Sequence, residues 1–431
     1  MTCAVATAAP LVNAMKNAPS SMPLQAPPQA ASQVQSPAPK RLLLSTRAAF
    51  YLQGSVTLTF LAGSSAPTPL YALYRAEWGF SPTMLTVAFG IYAIAVLGAL
   101  LVVGRLSDHV GRRPVLLAAA AAQLAAMILF ASADGLSGLL AGRVVQGFSA
   151  GAALAAVGAG LLDLDKTRGA VANSVAPMLG TALGGLVAGL MVQYLPAPMH
   201  LVYGVLGTLF VLQAIGIVFI AETGRPHAGA WASMRPRLAV PPKVRGSLLR
   251  AAPAIVAVWA LAGFYASLGP TLVHALVGSD AIVLGGLALF VLAGSGALAV
   301  LVFQRRDAQA LMRGGASALI VGLAVVLIAL HAQSLGLFLL GTAVAGIGFG
   351  LGFQGALRSV VALIEAHERA GVLSVLFTLS YLAMGVPAIV AGHHLAQHGD
   401  ILATAQDLGI GVMVLAAMAW VGTLRREDAG H

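Results

Sequence analysis

Two groups of residues in this 431-residue sequence could handle charge in an otherwise apolar chain. The first is the run Gly104-Arg105-Leu106-Ser107-Asp108-His109-Val110-Gly111-Arg112-Arg113-Pro114, in which one acid and three arginines join two long apolar stretches. Its chemistry is ion pairing at a hinge: Gly104 and Gly111 let the chain turn tightly, and Arg112 and Arg113 are kept out of lipid by cost. The second is Arg143, with Gln146 and Gly147, inside an apolar segment. A central arginine there costs at least ~2.5–3.5 kcal/mol, so it is expected to face a cavity and to have a partner. The competing reading is a side chain that snorkels to the headgroups near Asp134.

Bond-making chemistry finds no support. Gly147-Phe148-Ser149-Ala150-Gly151 fits the nucleophile-elbow pattern, but that needs a strand–turn–helix and this run is mid-helix. Gly350-Leu351-Gly352-Phe353-Gln354-Gly355 fits a dinucleotide-binding pattern with no strand before it. Both read as close helix packing. His393, His394 and His398 have partly metal-like spacing and read as an exposed outer loop. No catalytic residue, metal ligand or cofactor is predicted.

The elements that must position these groups follow from composition. Hydrophobic residues make up 59% and charged residues 9%, with a mean hydropathy of +0.90. A soluble domain carries about 25% charged residues, so this chain is read as a polytopic all-α membrane protein. Runs long enough for a ~30 Å hydrocarbon core lie near 48–74, 83–104, 114–133, 136–161, 169–193, 200–221, 251–274, 281–303, 314–331, 335–357, 370–393 and 401–424. That makes twelve spans. All Lys and Arg except Arg75 and Arg143 then fall in the tails, the even-to-odd loops or the central loop, which puts both termini in the cytoplasm. The net charge of +10 is therefore topogenic, and no nucleic-acid partner is predicted. Cys3 is the one cysteine, which rules out a disulfide framework.

The predicted organisation is a disordered cytoplasmic tail over 1–47 with no signal-peptide pattern, six helices over 48–222, a linker over 223–250, six helices over 251–424 and a short tail over 425–431. The two six-helix halves resemble each other at an offset near 199. Gly142, Gly147 and Gly151 match Gly341, Gly346 and Gly350; Asp108 matches Asp307; Ala62-Gly63 matches Ala262-Gly263, one residue out of step. Parallel repeats with the substrate site at their interface are one way secondary transporters are built.

The pattern G-x-L-x-D-x-x-G-R-R over 104–113 closely resembles the loop between helices 2 and 3 of the major facilitator superfamily, with every fixed position present. The resemblance implies that Asp108 latches the cytoplasmic side by pairing with basic residues and a helix N-terminus of the other half, with Arg112 and its neighbours as partners. Arg143-Val144-Val145-Gln146-Gly147 with Gly151 resembles the fourth-helix motif of proton-coupled drug exporters, where the arginine serves proton coupling or substrate binding. In helix 5, Gly180, Gly184 and Gly185 resemble the antiporter stretch. Gly replaces its proline, Ala replaces one glycine, and Pro177 comes earlier. Pro67 and Pro69 resemble the proline-containing end of helix 1, and Gly385 and Pro387 offer a hinge in helix 11. By the same resemblance helices 1, 4, 7 and 10 line the cavity with Gln53, Ser64, Arg143, Gln146, Trp259, Tyr265 and Gln354. No carboxylate is placed deep in the membrane; Glu77, Asp134 and Asp407 are peripheral. The expectation is an inner-membrane, monomeric secondary transporter that exports lipophilic, neutral or anionic solutes in exchange for protons. The alternatives are a metabolite importer or uniporter and a non-transporting sensor or scaffold.

Overall fold

The computed structural model describes residues 43–424 apart from 225, 237, 279, 280 and 366. The tail with Cys3 and residues 425–431 lie outside the described residues. Fifteen helices occur in order among those described: α1 (Thr46–Ser65), α2 (Pro67–Trp78), α3 (Pro82–Val102), α4 (Leu106–Val110), α5 (Arg112–Ala131), α6 (Leu136–Leu164), α7 (Lys166–Tyr194), α8 (Pro198–Val218), α9 (Ala230–Ser233), α10 (Pro242–Val277), α11 (Val283–Val302), α12 (Ala308–Ala332), α13 (Leu335–Val361), α14 (Arg369–His398) and α15 (Ile401–Leu424). Eleven of them are long and apolar enough to cross a membrane. The twelfth crossing is α1 followed by α2.

One helix is predicted over 48–74, and Ala66 keeps helical angles (φ −56°, ψ −37°) and donates to Ala62 O at 2.9 Å, so only the hydrogen-bond ladder is interrupted beyond it. Pro67 and Pro69 each lack the N–H that continues the ladder, so α1 ends and α2 starts with prolines in its first turn. The hydroxyls of α1 turn back on their own helix, with Thr59 Oγ1 donating to Ser55 O at 2.9 Å and Ser64 Oγ to Phe60 O at 2.9 Å. The predicted linker is also shorter than expected: α10 begins at Pro242 rather than near 251, because proline is pre-set for a first helical turn. His393, His394 and His398 lie on the last turns of α14, not in a loop.

Small residues set the packing. Glycine at an interface lets two helix backbones approach in lipid, where van der Waals contact is the main attraction. A Cβ at Gly147 or Gly151 would strike the Tyr92 or Val96 carbonyl of α3 at 2.6 Å. One repeat later, a Cβ at Gly346 or Gly350 would strike the Leu292 or Gly296 carbonyl of α11 at 2.3 or 2.4 Å. Gly142 lies against Phe130 of α5 and Gly341 against Val326 of α12. The matched glycines thus do the same work in both six-helix bundles. Between the halves, α3 packs on α14 and α7 on α11. Gly185 and Gly189 meet Gly286 and Val283, and Thr86 and Gly90 meet Gly392 and Ile389.

Gly184 gives a direct test. Its Cβ would lie 2.2 Å from Ala62 O and 2.4 Å from Ser65 Oγ, whereas Gly98 has nothing within 4 Å. Gly184→Ala should cost about 1–3 kcal/mol through overpacking. Gly98→Ala should be neutral or stabilising by up to about 1 kcal/mol through helix propensity. Thermal unfolding of the detergent-solubilised variants measures both, and equal midpoints would contradict this packing.

Candidate functional site

Two polar assemblies stand out, one at each end of α6. At the basic end, where the loop 103–113 lies, α4 forms a single turn and Gly111 takes φ +101°, a conformation costly for any residue with a Cβ. The next helix, α5, starts with Arg112 and Arg113, the wrong charge for a helix N-terminus. Glu222, just past α8, corrects this. Its Oε1 accepts from the Arg112 and Gly224 N–H groups at 2.7 and 2.8 Å, and its Oε2 from the Arg113 N–H at 3.0 Å. The Arg112 guanidinium pairs with Asp108 and, at 3.3 Å, with Asp163 at the far end of α6. It also donates to Ser107 Oγ at 2.8 Å, and Thr223 Oγ1 donates to Asp163 Oδ2 at 3.1 Å. A Cβ at Gly104 would strike the Leu100 carbonyl.

Asp108, Arg112, Gly104 and Gly111 are therefore brought together, and Arg113 joins through its backbone. In this conformation Asp108 pairs within its own half. Sequence reasoning missed Asp163, Glu222 and Thr223. The signal was available: with only 14 acids in the chain, two directly at helix ends invite a structural reading. The equivalent turn of the second half is built differently. Asp307 caps α12 by accepting from Gln309 and Ala310 N–H at 3.0 and 2.8 Å. The Ala310 N–H above all holds its carboxyl below the usual carboxylate range, so this cap is present at neutral pH and is lost as pH falls through that lowered value. Arg358 on α13 ties the loop down by donating to Gln304 O at 2.9 Å, with the Gln354 amide oxygen turned to accept from it at 3.0 Å.

Towards the other end, Arg143 has no exposed surface. Its Nη1 donates to Ser64 O at 2.9 Å and to Gln146 Oε1 at 2.7 Å, and its Nη2 donates to Tyr71 Oη. The guanidinium carbon lies 5.3 Å from the Tyr71 and Tyr92 ring centres and 6.0 Å from that of Phe130. Tyr92 Oη donates to Ser64 Oγ at 2.8 Å. Arg143 does have partners, but they are neutral oxygens and aromatic faces, and the side chain does not snorkel. It is sealed in protein rather than facing a cavity, which corrects the expectation. The reason is the proline-interrupted ladder of the first span. Pro67 returns no N–H to Gly63 O, and Gln146 Nε2 donates to that carbonyl at 2.9 Å instead. Arg143 and Gln146 together supply donors at this interruption. Arg143 Nε has no hydrogen-bond partner.

The remaining candidates are dispersed. Gln53 is buried with its Oε1 unpartnered against Gly160. Trp259 packs between Phe353 and Tyr381 at 5.4 and 5.3 Å with its Nε1 unpartnered. Tyr265 Oη bonds Thr342 Oγ1 at 2.8 Å, and Thr342 stands at the position that Arg143 holds in the first half. In α7, Gly180 and Gly184 lie against α1, and Gly185 against α11. Pro177 and Pro387 sit inside continuous helices; Gly385 faces Ala93 and Gly90 across the halves. Glu77 and Asp134 line a cleft of about 390 Å³ at the end away from the loop 103–113, with Trp78, Phe130, Met199 and His200.

The cap and the cage make separable predictions. Glu222→Ala should lower stability by about 0.5–2 kcal/mol, the range for a lost helix cap. Gln146→Leu should cost about 1–3 kcal/mol by leaving a buried carbonyl and a buried cation short of a partner. Thermal unfolding midpoints measure both, and wild-type values would contradict these assignments.

Comparison with known proteins gives the same reading. The family model of the Major Facilitator Superfamily matches residues 53–388. The multidrug resistance protein MdtL of Klebsiella pneumoniae is 31% identical over 194 residues, covering 43% of this chain and 48% of that protein. MdtL of Escherichia coli K12 is 30% identical over 170 residues, 38% of this chain and 42% of that protein. The chain thus spans about half the length of the curated relatives it matches. Among solved structures, the xylose transporter XylE of E. coli, in a partially occluded inward-open conformation, superposes with a TM-score of 0.66 at 12% identity, covering 88% of this chain and 96% of that one. The human organic anion transporter MFSD10 gives 0.63 at 16% identity, covering 87% and 100%. With its signature loop closed around Arg112, its two matched six-helix bundles and a family match over most of its length, this chain belongs to the major facilitator superfamily of transporters.

Proposed function

We propose that this protein exports small lipophilic solutes, neutral or anionic, across the inner membrane by alternating access, driven by the proton-motive force. The basic end is the cytoplasmic end, since the Lys and Arg residues collect there. The observation that carries the reading is Arg143, a fully buried cation held only by neutral groups, with its Nε unpartnered. A buried charge is costly without a countercharge. An anionic solute that reaches Arg143 in another state of the cycle supplies one; in this state the rings of Tyr71, Tyr92 and Phe130 close over the guanidinium. The partial likeness to proteins named for multidrug resistance supports the direction of transport. The likeness to XylE, at 12% identity, bears on the fold alone.

Export of an anion needs no deeply buried carboxylate to be driven. The membrane potential, negative inside, contributes about 2.3 kcal/mol per charge per 100 mV, and exchange for a proton adds to it. Halves rocking about this site give alternating access. Asp108 acts as the cytoplasmic latch by exchanging Arg112, its partner here, for basic groups of the other half when that side closes, and Gly185 and Gly189 of α7 form the surface on which the halves slide.

The test is accumulation of lipophilic dyes and antibiotics, anionic, neutral and cationic, in cells stripped of their own exporters. Expression should lower accumulation of the anionic and neutral members. Arg143→Ala at matched expression should reduce efflux of the anions at least tenfold, in line with loss of a close buried charge pair, and an uncoupler should abolish it. Equal accumulation in expressing and empty cells contradicts export and turns the search to uptake of metabolites.

A further inference from the structure

Helix α10 runs without interruption through Pro270. Proline donates no N–H, so the carbonyl of Ala266, four residues earlier, loses its partner in the ladder. In a membrane an unsatisfied carbonyl is costly. A residue of the other half takes the place: Thr68 Oγ1 donates to Ala266 O at 2.9 Å. The nearest hydroxyl on α10 itself is committed elsewhere, since Ser267 Oγ donates to Gly263 O at 2.7 Å. The contact is dry, with Thr68 1% exposed and Leu70 and Tyr71 next to it 0% and 2% exposed.

Thr68 is placed by a second proline. It is the second residue of α2, just past the interruption at Ala66, and the carbonyls before that interruption are held by Gln146 and Arg143. A threonine in a helix ordinarily turns its hydroxyl to the carbonyl four residues back, here that of Ser64. In this structure Ser64 O accepts from Arg143 Nη1, and the Thr68 hydroxyl reaches across to the other half instead. Two other hydrogen bonds join the halves at this end among the described residues, Ile282 N–H to Gln193 Oε1 at 2.9 Å and Thr83 Oγ1 to Gly392 O at 3.4 Å. Thr68 is the one of these three that lies beside the Arg143 cage.

We propose that Thr68 is the positioning residue of the outer gate: its hydroxyl closes the gate on the Ala266 carbonyl that Pro270 leaves free, and gate opening returns it to Ser64 O, where it competes with Arg143. The proposal rests on the alternating-access reading given above. It makes the state of the outer end felt at Arg143 through a single carbonyl, with no titrating group between them.

The test uses the full chain in detergent or nanodiscs, with Cys3→Ser and spin labels at the exposed positions Ser132 and Gln397, one in each half. Thr68→Val keeps the shape and removes the donor. It should raise the population with a long label-to-label distance about fivefold, as expected for one lost hydrogen bond. Thr68→Ser keeps the donor and should behave as wild type. Pro270→Ala restores the N–H at position 270, so adding Thr68→Val to it should give little further change. A wild-type distance distribution for Thr68→Val, Thr68→Ser behaving as Thr68→Val, or the same shift with and without Pro270 would each overturn the proposal. The distances are read without solute. A protein that moves nothing in the accumulation assay still reports the gate, so failure of the transport reading and failure of the gate are told apart.

Discussion

One interaction organises the first half of this protein: a guanidinium with no exposed surface, in a helix that crosses the membrane, held by a carbonyl, an amide and a tyrosine hydroxyl. Burying that charge is costly unless its donors are filled. Pro67 leaves the Gly63 carbonyl without its ladder donor, and Gln146 fills it. Gln146 also accepts from Arg143, so the interruption and the charge share a partner. Without Gln146 the Gly63 carbonyl loses the donor that replaces the ladder there, and Arg143 loses one of its three acceptors.

The second half keeps the frame and omits the charge. The glycines that bring α6 onto α3 recur where α13 meets α11, so the helices are placed alike. At the arginine's position stands Thr342, bonded to Tyr265. Arg358 ties its basic-end loop where Asp163 ties that of the first half. The repeat is preserved in packing, where a Cβ would separate backbones, and has diverged in electrostatics, which a few side chains can change.

Much of this could be read in the sequence, and for identifiable reasons. Apolar length located the crossings, because the hydrocarbon core fixes it. The loop 104–113 was legible because charge is rare in this chain, and Gly111 because only glycine tolerates its φ of +101°. The glycine repeat announced helix contacts that the structure contains. What was not legible depends on neighbours distant in sequence. Glu222 caps a helix that starts 110 residues earlier, and no local pattern shows that. Arg143 was expected to face a cavity because its cost was clear, but two of its three neutral acceptors, Ser64 O and Tyr71 Oη, lie more than 70 residues away. Pro67 and Pro69 were seen, yet the donor that replaces the missing Pro67 N–H comes from Gln146 of α6, which no local pattern ties to them.

The most direct test of the central claim is flux of a lipophilic fluorescent anion in proteoliposomes under an imposed potassium diffusion potential, with protein-free liposomes as the leak control. The account predicts flux that reverses when the sign of the potential is reversed and that Arg143→Ala abolishes while the protein stays folded by thermal unfolding. Flux of the same anion that persists in folded Arg143→Ala would contradict it.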